Sequence, residues 1–141
     1  MGITIKATNS THSFNMGDGG FFNLRKNIAY AYDVEFGKHY EKLTGCWTKE
    51  ERIAWENELN KILSDSRFKD EDEDILDFLF ASYERGTVSY KTCKKIYDII
   101  KDVNFDNKIF VYSAHSDGKD YEYLKEFLLE CYQKRRKMRW S

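Results

Sequence analysis

Residues 15–37, NMGDGGFFNLRKNIAYAYDVEFG, are the most informative part of the sequence, because the residue pattern changes within them from strand-like to helical. Before it, residues 3–5 (ITI) alternate apolar and polar side chains and favour a short strand, followed by a polar connection through Asn15. From Phe21 onward the apolar residues recur at helical spacing, which predicts an amphipathic helix from 21 to about 37 with Gly37 as its C-cap.

Three glycines, Gly17, Gly19 and Gly20, stand directly before this helical pattern and raise the question of a phosphate-binding loop. A P-loop needs a Gly-Lys-Ser/Thr sequence after its first glycine, and none follows here. A dinucleotide-binding fingerprint fails at its third glycine, where Phe22 stands, and Asp18 would repel a phosphate. The stretch is therefore interpreted as a tight turn whose glycines adopt positive φ and allow the following aromatic residues to pack.

Further along the chain, two helices have clear start signals. Thr48 followed by Glu51 is a capping box that predicts a helix to about Ser64. Ser89 precedes apolar residues at i, i+3, i+4 and i+7 spacing, which predicts a second capped helix. An acidic first turn at 70–77 leads into another.

The last predicted helix begins near Asp120, and residues 108–112 (KIFVY) have the composition of a strand. The chain is thus predicted to form one α+β domain over residues 1–141, mostly helical, with about five helices and a small sheet of two or three short strands. A short basic tail over 134–141 is expected at its end.

Composition excludes several classes of protein. With 141 residues, 41% of them hydrophobic, the chain is large and apolar enough to bury a core. No apolar run approaches the roughly 20 residues of a spanning helix, and the first residues do not form a secretory signal, so a cytoplasmic location is expected. Three separated cysteines do not indicate a disulfide framework, and Cys93 and Cys131 fall on apolar helical faces.

Metal and catalytic motifs are incomplete. Residues 102–113 match the first half of a calcium-binding loop but have Asn107 in place of its glycine and Ser113 in place of its glutamate. A zinc site could draw on His12, His39, His115 and Cys46, although no two of them have a short ligand spacing. A pairing of Cys93 with a histidine is not specific to catalysis. The sequence therefore predicts no enzyme, no cofactor and no metal, with a small metal-binding protein as an alternative.

The remaining signal is electrostatic, in two blocks of opposite charge on a chain of formal net charge −1. The acidic candidates are Asp70, Glu71, Asp72, Glu73, Asp74 and Asp77. The basic candidates are Lys134, Arg135, Arg136, Lys137 and Arg139, followed by Trp140. Either block could simply be solvated surface. The acidic block could instead imitate a nucleic acid and occupy a basic groove of a protein. The basic block could contact nucleic acid, with Trp140 stacking on a base.

Three segments of the chain resemble small accessory proteins of phages and prophages from low-GC Gram-positive bacteria. They are residues 12–31 (HSFNMGDGGFFNLRKNIAYA), 88–103 (VSYKTCKKIYDIIKDV) and 135–140 (RRKMRW), together about a third of the chain. Within that group the resemblance implies an anti-CRISPR inhibitor of type II-A Cas9 that binds the effector without catalysis and blocks guide or target-DNA engagement. The acidic block would then face a basic groove of Cas9 or of another host defence protein. A nucleic-acid-binding phage regulator that uses the basic block is the alternative.

Overall fold

The computed structural model describes residues 2–8, 13–82, 84–103 and 119–141. Within those ranges the chain forms six α-helices, two short 3-10 helices and four β-strands. In chain order these are β1 (Gly2–Ala7), β2 (Ser13–Gly17), α1 (Asp18–Tyr32), α2 (Val34–Glu41), a 3-10 helix (Lys42–Gly45), α3 (Lys49–Leu63), a 3-10 helix (Asp70–Asp72), α4 (Glu73–Phe80), β3 (Gly86–Val88), α5 (Tyr90–Ile100), α6 (Lys119–Gln133) and β4 (Met138–Trp140). The predicted α+β class, mostly helical with a small sheet, is confirmed.

The four strands form one sheet in the order β2-β1-β4-β3, with antiparallel neighbours throughout. β4 is the last strand in the chain, yet it lies between β1 and β3. Trp140 is opposite Ile5 on one side and opposite Gly86 on the other. Thr4 and Ser141 also exchange backbone hydrogen bonds of 2.9 and 3.1 Å, which extend the pairing to the last residue of the chain.

β4 corrects the expectation of a basic tail. Met138 and Trp140 are each only 2% exposed, whereas Arg139 between them is exposed. This alternation is that of a strand with one face in the core. Residues 138–140 therefore form an internal strand whose backbone pairs with β1 and β3. The prediction of a basic tail over 134–141 is wrong for these three residues.

β2 is a second correction, since a polar connection was expected where this strand lies. Its residues pair with β1 from Gly17 opposite Gly2 to Ser13 opposite Lys6. The β2 sequence SFNMG does alternate apolar Phe14 and Met16 with smaller or polar residues, but this strand signal spans only five positions within a polar segment. The sheet consequently has more strands than expected.

The glycines after β2 belong to a direct transition from strand to helix. β2 ends at Gly17 and α1 begins at Asp18, so Gly19 and Gly20 lie in the first turn of the helix. The predicted tight turn with positive φ is therefore wrong for Gly19 and Gly20. The expected packing of the following aromatic residues is confirmed by Phe21, which is fully buried.

The single helix expected over 21–37 is two helices, α1 and α2. Asp33 separates them with an extended backbone (φ −162°), and its side chain accepts a hydrogen bond of 2.9 Å from the Phe36 N–H. Gly37 is not a C-cap but lies inside α2, where a Cβ atom would come within 2.6 Å of the Tyr30 Cα. The glycine thus allows α1 and α2 to pack backbone against backbone.

The two strongest start signals are confirmed. Thr48 Oγ1 accepts from the Glu51 N–H at 3.1 Å and caps α3. Ser89 Oγ accepts from the Thr92 N–H at 3.3 Å and caps α5. α6 begins at Lys119, next to the predicted start.

One core joins the sheet to the helices. Trp140 lies at its centre, with its ring centroid 5.6 Å from that of Phe21 and 5.5 Å from that of Phe78. Its Nε1 donates to the Ser82 carbonyl at 2.9 Å. Around this aromatic group the core is completed by residues of β1, α1, α4, α5 and α6, including Ile3, Ile5, Leu24, Ile28, Leu79, Ile96, Ile100, Leu124 and Leu128.

Several sequence predictions fall outside the described ranges. They are the strand over 108–112, most of the calcium-loop resemblance at 102–113, and the candidate ligands His12 and His115. No described helix is both long and apolar enough to cross a membrane.

Candidate partner-binding surface

The acidic block lies on one compact corner of the molecule, formed by the 3-10 helix Asp70–Asp72 and the beginning of α4. Negative charge is favourable there because the N–H groups at a helix N-terminus carry partial positive charge. This explains locally why a sequence so rich in carboxylates still forms a helix.

Two of the six carboxylates hold the corner to the rest of the fold. Asp72 accepts a hydrogen bond of 3.0 Å from the Tyr32 hydroxyl on α1. Asp74 accepts from Thr92 Oγ1 at 2.8 Å and from Lys95 Nζ at 3.0 Å, both on α5. Burial acts to raise the pKa of Asp74, but the hydrogen bonds from Lys95 and Thr92 outweigh it and lower the pKa. Asp72 and Asp74 are therefore structural, although the sequence did not distinguish them from the others.

The other four carboxylates, Asp70, Glu71, Glu73 and Asp77, are exposed. Glu71 lies 3.9 Å from Lys69 Nζ, and both side chains are about two-thirds exposed, so this ion pair contributes little. Glu73 and Asp77 are four residues apart and share one face of α4. The block thus presents fixed negative charge to solvent.

Phe80 continues the face of α4 that carries Glu73 and Asp77, because it is seven residues after the first and three after the second. It is 38% exposed, so part of its ring faces solvent. The i, i+4, i+7 spacing of these three residues was the signal that could have placed it with the carboxylates.

A groove of about 330 Å³ lies beside Phe80, between it and α3. It is lined by Arg52, Trp55, Glu56, Leu59, Asn60 and Phe80. The Trp55 and Phe80 rings meet edge to face, with centroids 6.0 Å apart. Since Leu59 is half-buried, the floor of the groove is apolar, while Arg52, Glu56 and Asn60 are exposed.

The Trp55 wall of the groove is fixed from behind by His39 of α2. The two rings stack with centroids 4.7 Å apart and planes at 12°. On the open side, the Arg52 guanidinium lies 5.5 Å from the Trp55 ring centroid and its Nε is 3.3 Å from Glu56 Oε1. The stack on His39 holds the ring in place, whereas the exposed Arg52–Glu56 pair contributes little.

The basic block is divided between helix end, turn and strand. Arg135 has φ 52°, a left-handed conformation that ends α6, and the Arg136 N–H donates to the Cys131 carbonyl at 2.8 Å. Lys134 pairs with Glu130 at 2.9 Å. Trp140 is buried, so its ring cannot stack on a base. Lys134, Arg135, Lys137 and Arg139 remain exposed.

The two described candidates for a zinc site, His39 and Cys46, each have another hydrogen-bond partner. His39 is buried with Nε2 2.8 Å from the Trp55 carbonyl oxygen, and Cys46 donates to the Lys42 carbonyl at 3.5 Å. In the described part of the chain, no group of three or more His, Cys, Asp or Glu side chains could hold a metal ion.

The remaining two cysteines, Cys93 of α5 and Cys131 of α6, are fully buried free thiols. The hydrogen bond that they share, together with burial, raises the pKa of Cys93. A raised pKa opposes the thiolate that a nucleophile requires. The helical positions predicted for both residues as part of the core are confirmed.

Comparison with known proteins gives no relative: no family model, no curated protein and no solved structure matches this chain. Function is therefore argued from the surface itself.

Proposed function

We propose that this chain is a phage-encoded inhibitor that binds a host defence effector, most specifically an anti-CRISPR protein acting on type II-A Cas9. It would block guide or target-DNA engagement by occupying a basic groove of the effector, without catalysis. The observation that carries the proposal is the corner formed by Asp70, Glu71, Glu73 and Asp77. Four exposed carboxylates stand there on a backbone that Asp72 and Asp74 hold in place.

Fixed carboxylates suit this role for a physical reason. A protein groove that binds nucleic acid is lined with cations and attracts any surface with a complementary negative potential. Because Asp72 and Asp74 already hold the backbone of this corner, little backbone freedom is lost when it meets such a groove. The proposal also accounts for the resemblance of three segments to phage accessory proteins.

The decisive experiment is a DNA-cleavage assay with purified type II-A Cas9 and guide RNA. The chain is added before or after guide loading, and before or after target binding, so that the order of addition identifies the blocked step. We expect inhibition near a one-to-one ratio that weakens as salt is raised. Absence of inhibition across several type II-A Cas9 proteins would contradict the Cas9 assignment.

A matched pair of variants tests the acidic corner. The first replaces Asp70, Glu71, Glu73 and Asp77 by their amides and leaves the structural Asp72 and Asp74 intact. The control replaces four other exposed carboxylates by their amides, so that its net charge changes equally: Glu50, Glu58, Glu84 and Glu126. We expect the first to lose at least about tenfold in inhibitory potency and the control to lose much less. Equal potency of the two variants would exclude this corner as the interface.

A nucleic-acid-binding regulator is the competing proposal, favoured by the exposed cations Lys134, Arg135, Lys137 and Arg139. Deletion of residues 134–141 would not test it, because that deletion removes a central strand. Replacement of the four cations by Gln keeps the buried residues and should abolish a salt-dependent gel shift if this surface binds nucleic acid. A gel shift that persists in this variant would contradict the proposed use of these cations.

A further inference from the structure

We infer that the groove between α3 and Phe80 is the docking site for a basic, helical segment of a partner protein, with one apolar side chain of that segment inserted beside Trp55. The inference rests on the proposed function and deepens it, since Glu73 and Asp77 belong both to the acidic corner and to the approach to this groove. In this inference the acidic corner attracts the partner and the groove binds it at a defined position.

The first argument is the apolar floor. Phe80 is 38% exposed and Ile53 is 49% exposed, both large hydrophobic side chains on the surface of folded elements. Ile53 lies three residues before Glu56 on α3 and is not itself part of the groove lining. Insertion of an apolar side chain between Trp55, Leu59 and Phe80 would remove this surface from water.

The second argument is that the groove is already formed. The Trp55 ring is stacked on His39 at 4.7 Å and donates from Nε1 to the His39 carbonyl at 2.8 Å. Phe80 is held on its other sides by Phe36 and Tyr40, at centroid distances of 6.1 and 5.5 Å. A ligand therefore orders few side chains on binding, which favours affinity.

The third argument is charge. At the groove itself, Arg52 and Glu56 neutralise each other across 3.3 Å. On the adjoining face of α4, no cation among the described residues forms an ion pair with Glu73 or Asp77. A cationic partner is attracted to this approach and an acidic one is repelled.

The fourth argument concerns the shape of the partner. α3 spans Lys49–Leu63, about 22 Å at 1.5 Å per residue, and its groove side presents side chains. Neither α3 nor α4 offers the free strand edge that an extended peptide would need for β-augmentation. A partner helix could instead lie along α3 and place its side chains between those of α3 and Phe80.

The test uses the full chain and a synthetic helical peptide of about 14 residues that carries Leu at i, i+3, i+4 and i+7 spacing and Lys elsewhere. A twin peptide has Glu in place of every Lys. Binding is followed by tryptophan fluorescence in a Trp47→Phe background, because Trp47 is 87% exposed and would obscure the response of Trp55. We expect the Lys peptide to bind with a Kd in the micromolar range and the Glu twin at least about tenfold more weakly.

Two substitutions on α3 make the test specific to the groove. Asn60→Arg places a long cation on the groove lining, whereas Ala54→Arg adds the same charge at an exposed position on the opposite side of the helix. Neither position is buried, so both variants should fold. We expect Asn60→Arg to raise the Kd of the Lys peptide at least about tenfold and Ala54→Arg to raise it less than about threefold.

Three results would overturn the inference: equal binding of the two peptides, equal weakening by the two arginine variants, or absence of Lys-peptide binding at millimolar concentration. None of them depends on Cas9. A groove that binds the peptide in a chain that inhibits no Cas9 would reject the effector assignment alone. Inhibition of Cas9 that Asn60→Arg leaves unchanged would reject the groove alone.

Discussion

His39 and Trp55 exchange hydrogen bonds between α2 and α3, each using its ring nitrogen and the backbone carbonyl of the other. Trp55 Nε1 donates to the His39 carbonyl at 2.8 Å, and His39 Nε2 lies 2.8 Å from the Trp55 carbonyl, to which the protonated nitrogen donates. Both side chains are nearly fully buried, at 6% and 5% exposure. This reciprocal pair, together with the stacked rings, fixes α3 to the body of the protein.

Replacing His39 by Phe tests this pair, because Phe keeps a ring to stack on Trp55 but removes the donor to its carbonyl. Because Trp55 lies inside α3, its carbonyl keeps a helical donor, so the variant loses one hydrogen bond, worth about 0.5 to 1.5 kcal/mol. We expect the free energy of unfolding, measured by urea titration, to fall by that amount. Trp47→Phe is the control and should change it by less than about 0.5 kcal/mol, since Trp47 is 87% exposed. Unchanged stability of the His39→Phe variant would show that the exchange does not hold α3.

Gly37→Ala tests the close approach of α1 and α2. The added Cβ would lie 2.6 Å from the Cα and 2.7 Å from the N of Tyr30, and these are backbone atoms that cannot rotate away. Although Ala favours a helix interior, we expect a net loss of about 1 to 3 kcal/mol from overpacking. Gly45→Ala is the matched control, because nothing lies within 4 Å of its Cβ position. Equal melting temperatures of the two variants would contradict the backbone contact.

Sequence reasoning succeeded where the signal is local. The caps at Thr48 and Ser89 satisfy N–H groups three residues away, so the necessary information lies within one helical turn. It failed where the partner is distant in the chain. β2 and β4 do alternate apolar and polar residues, but over only five and three positions, so the pairing with β1 and β3 that makes them strands is what the sequence could not supply.

The same contrast between local signals and distant partners applies to the surface. The acidic block was visible from composition, but the structural roles of Asp72 and Asp74 depend on Tyr32 and Lys95, which are 40 and 21 residues away in the chain. The groove was not predicted at all, because it requires that Phe80 be placed against α3. Exposed aromatic residues become informative only after the packing of their neighbours is known.

The ion pair between Asp33 and Arg67 should make the free energy of unfolding depend on pH. Arg67 Nε donates to Asp33 Oδ2 at 2.7 Å, and this hydrogen bond is the main reason that the pKa of Asp33 is lowered, against the opposing effect of burial. A carboxyl whose pKa is lower in the folded state stabilises the fold above its ordinary pKa of about 4 and loses that contribution as the pH falls through the folded-state value.

Asp33→Asn removes this charge but keeps a good N-cap for α2. We expect wild type to be more stable than the variant at pH 7, by about 1 kcal/mol or less, as for partly exposed ion pairs. The difference should shrink when urea titrations are carried out at progressively lower pH below about 4. A difference that stays constant over this range would mean that the ion pair with Arg67 does not contribute.

Cysteine reactivity distinguishes the buried thiols from the accessible one. Cys93 and Cys131 are fully buried, whereas Cys46 is half-buried near the start of α3. Since only an accessible thiolate reacts quickly, we expect one rapid equivalent of reaction with a disulfide reagent in the native protein and three after denaturation. Cys46→Ser should abolish the rapid phase. A rapid phase that persists in this variant would contradict the burial of the other two thiols.

The end of the chain provides the sharpest test of the architecture, because an expected surface tail is instead a core strand. Trp140 contacts Phe21 and Phe78 and hydrogen-bonds to Ser82, so Trp140→Ala should cost about 3 to 5 kcal/mol in urea titration. Arg139→Ala shortens the neighbouring side chain on the exposed face and should cost about 1 kcal/mol or less. Equal, small effects of the two substitutions would mean that residues 138–140 do not belong to the sheet.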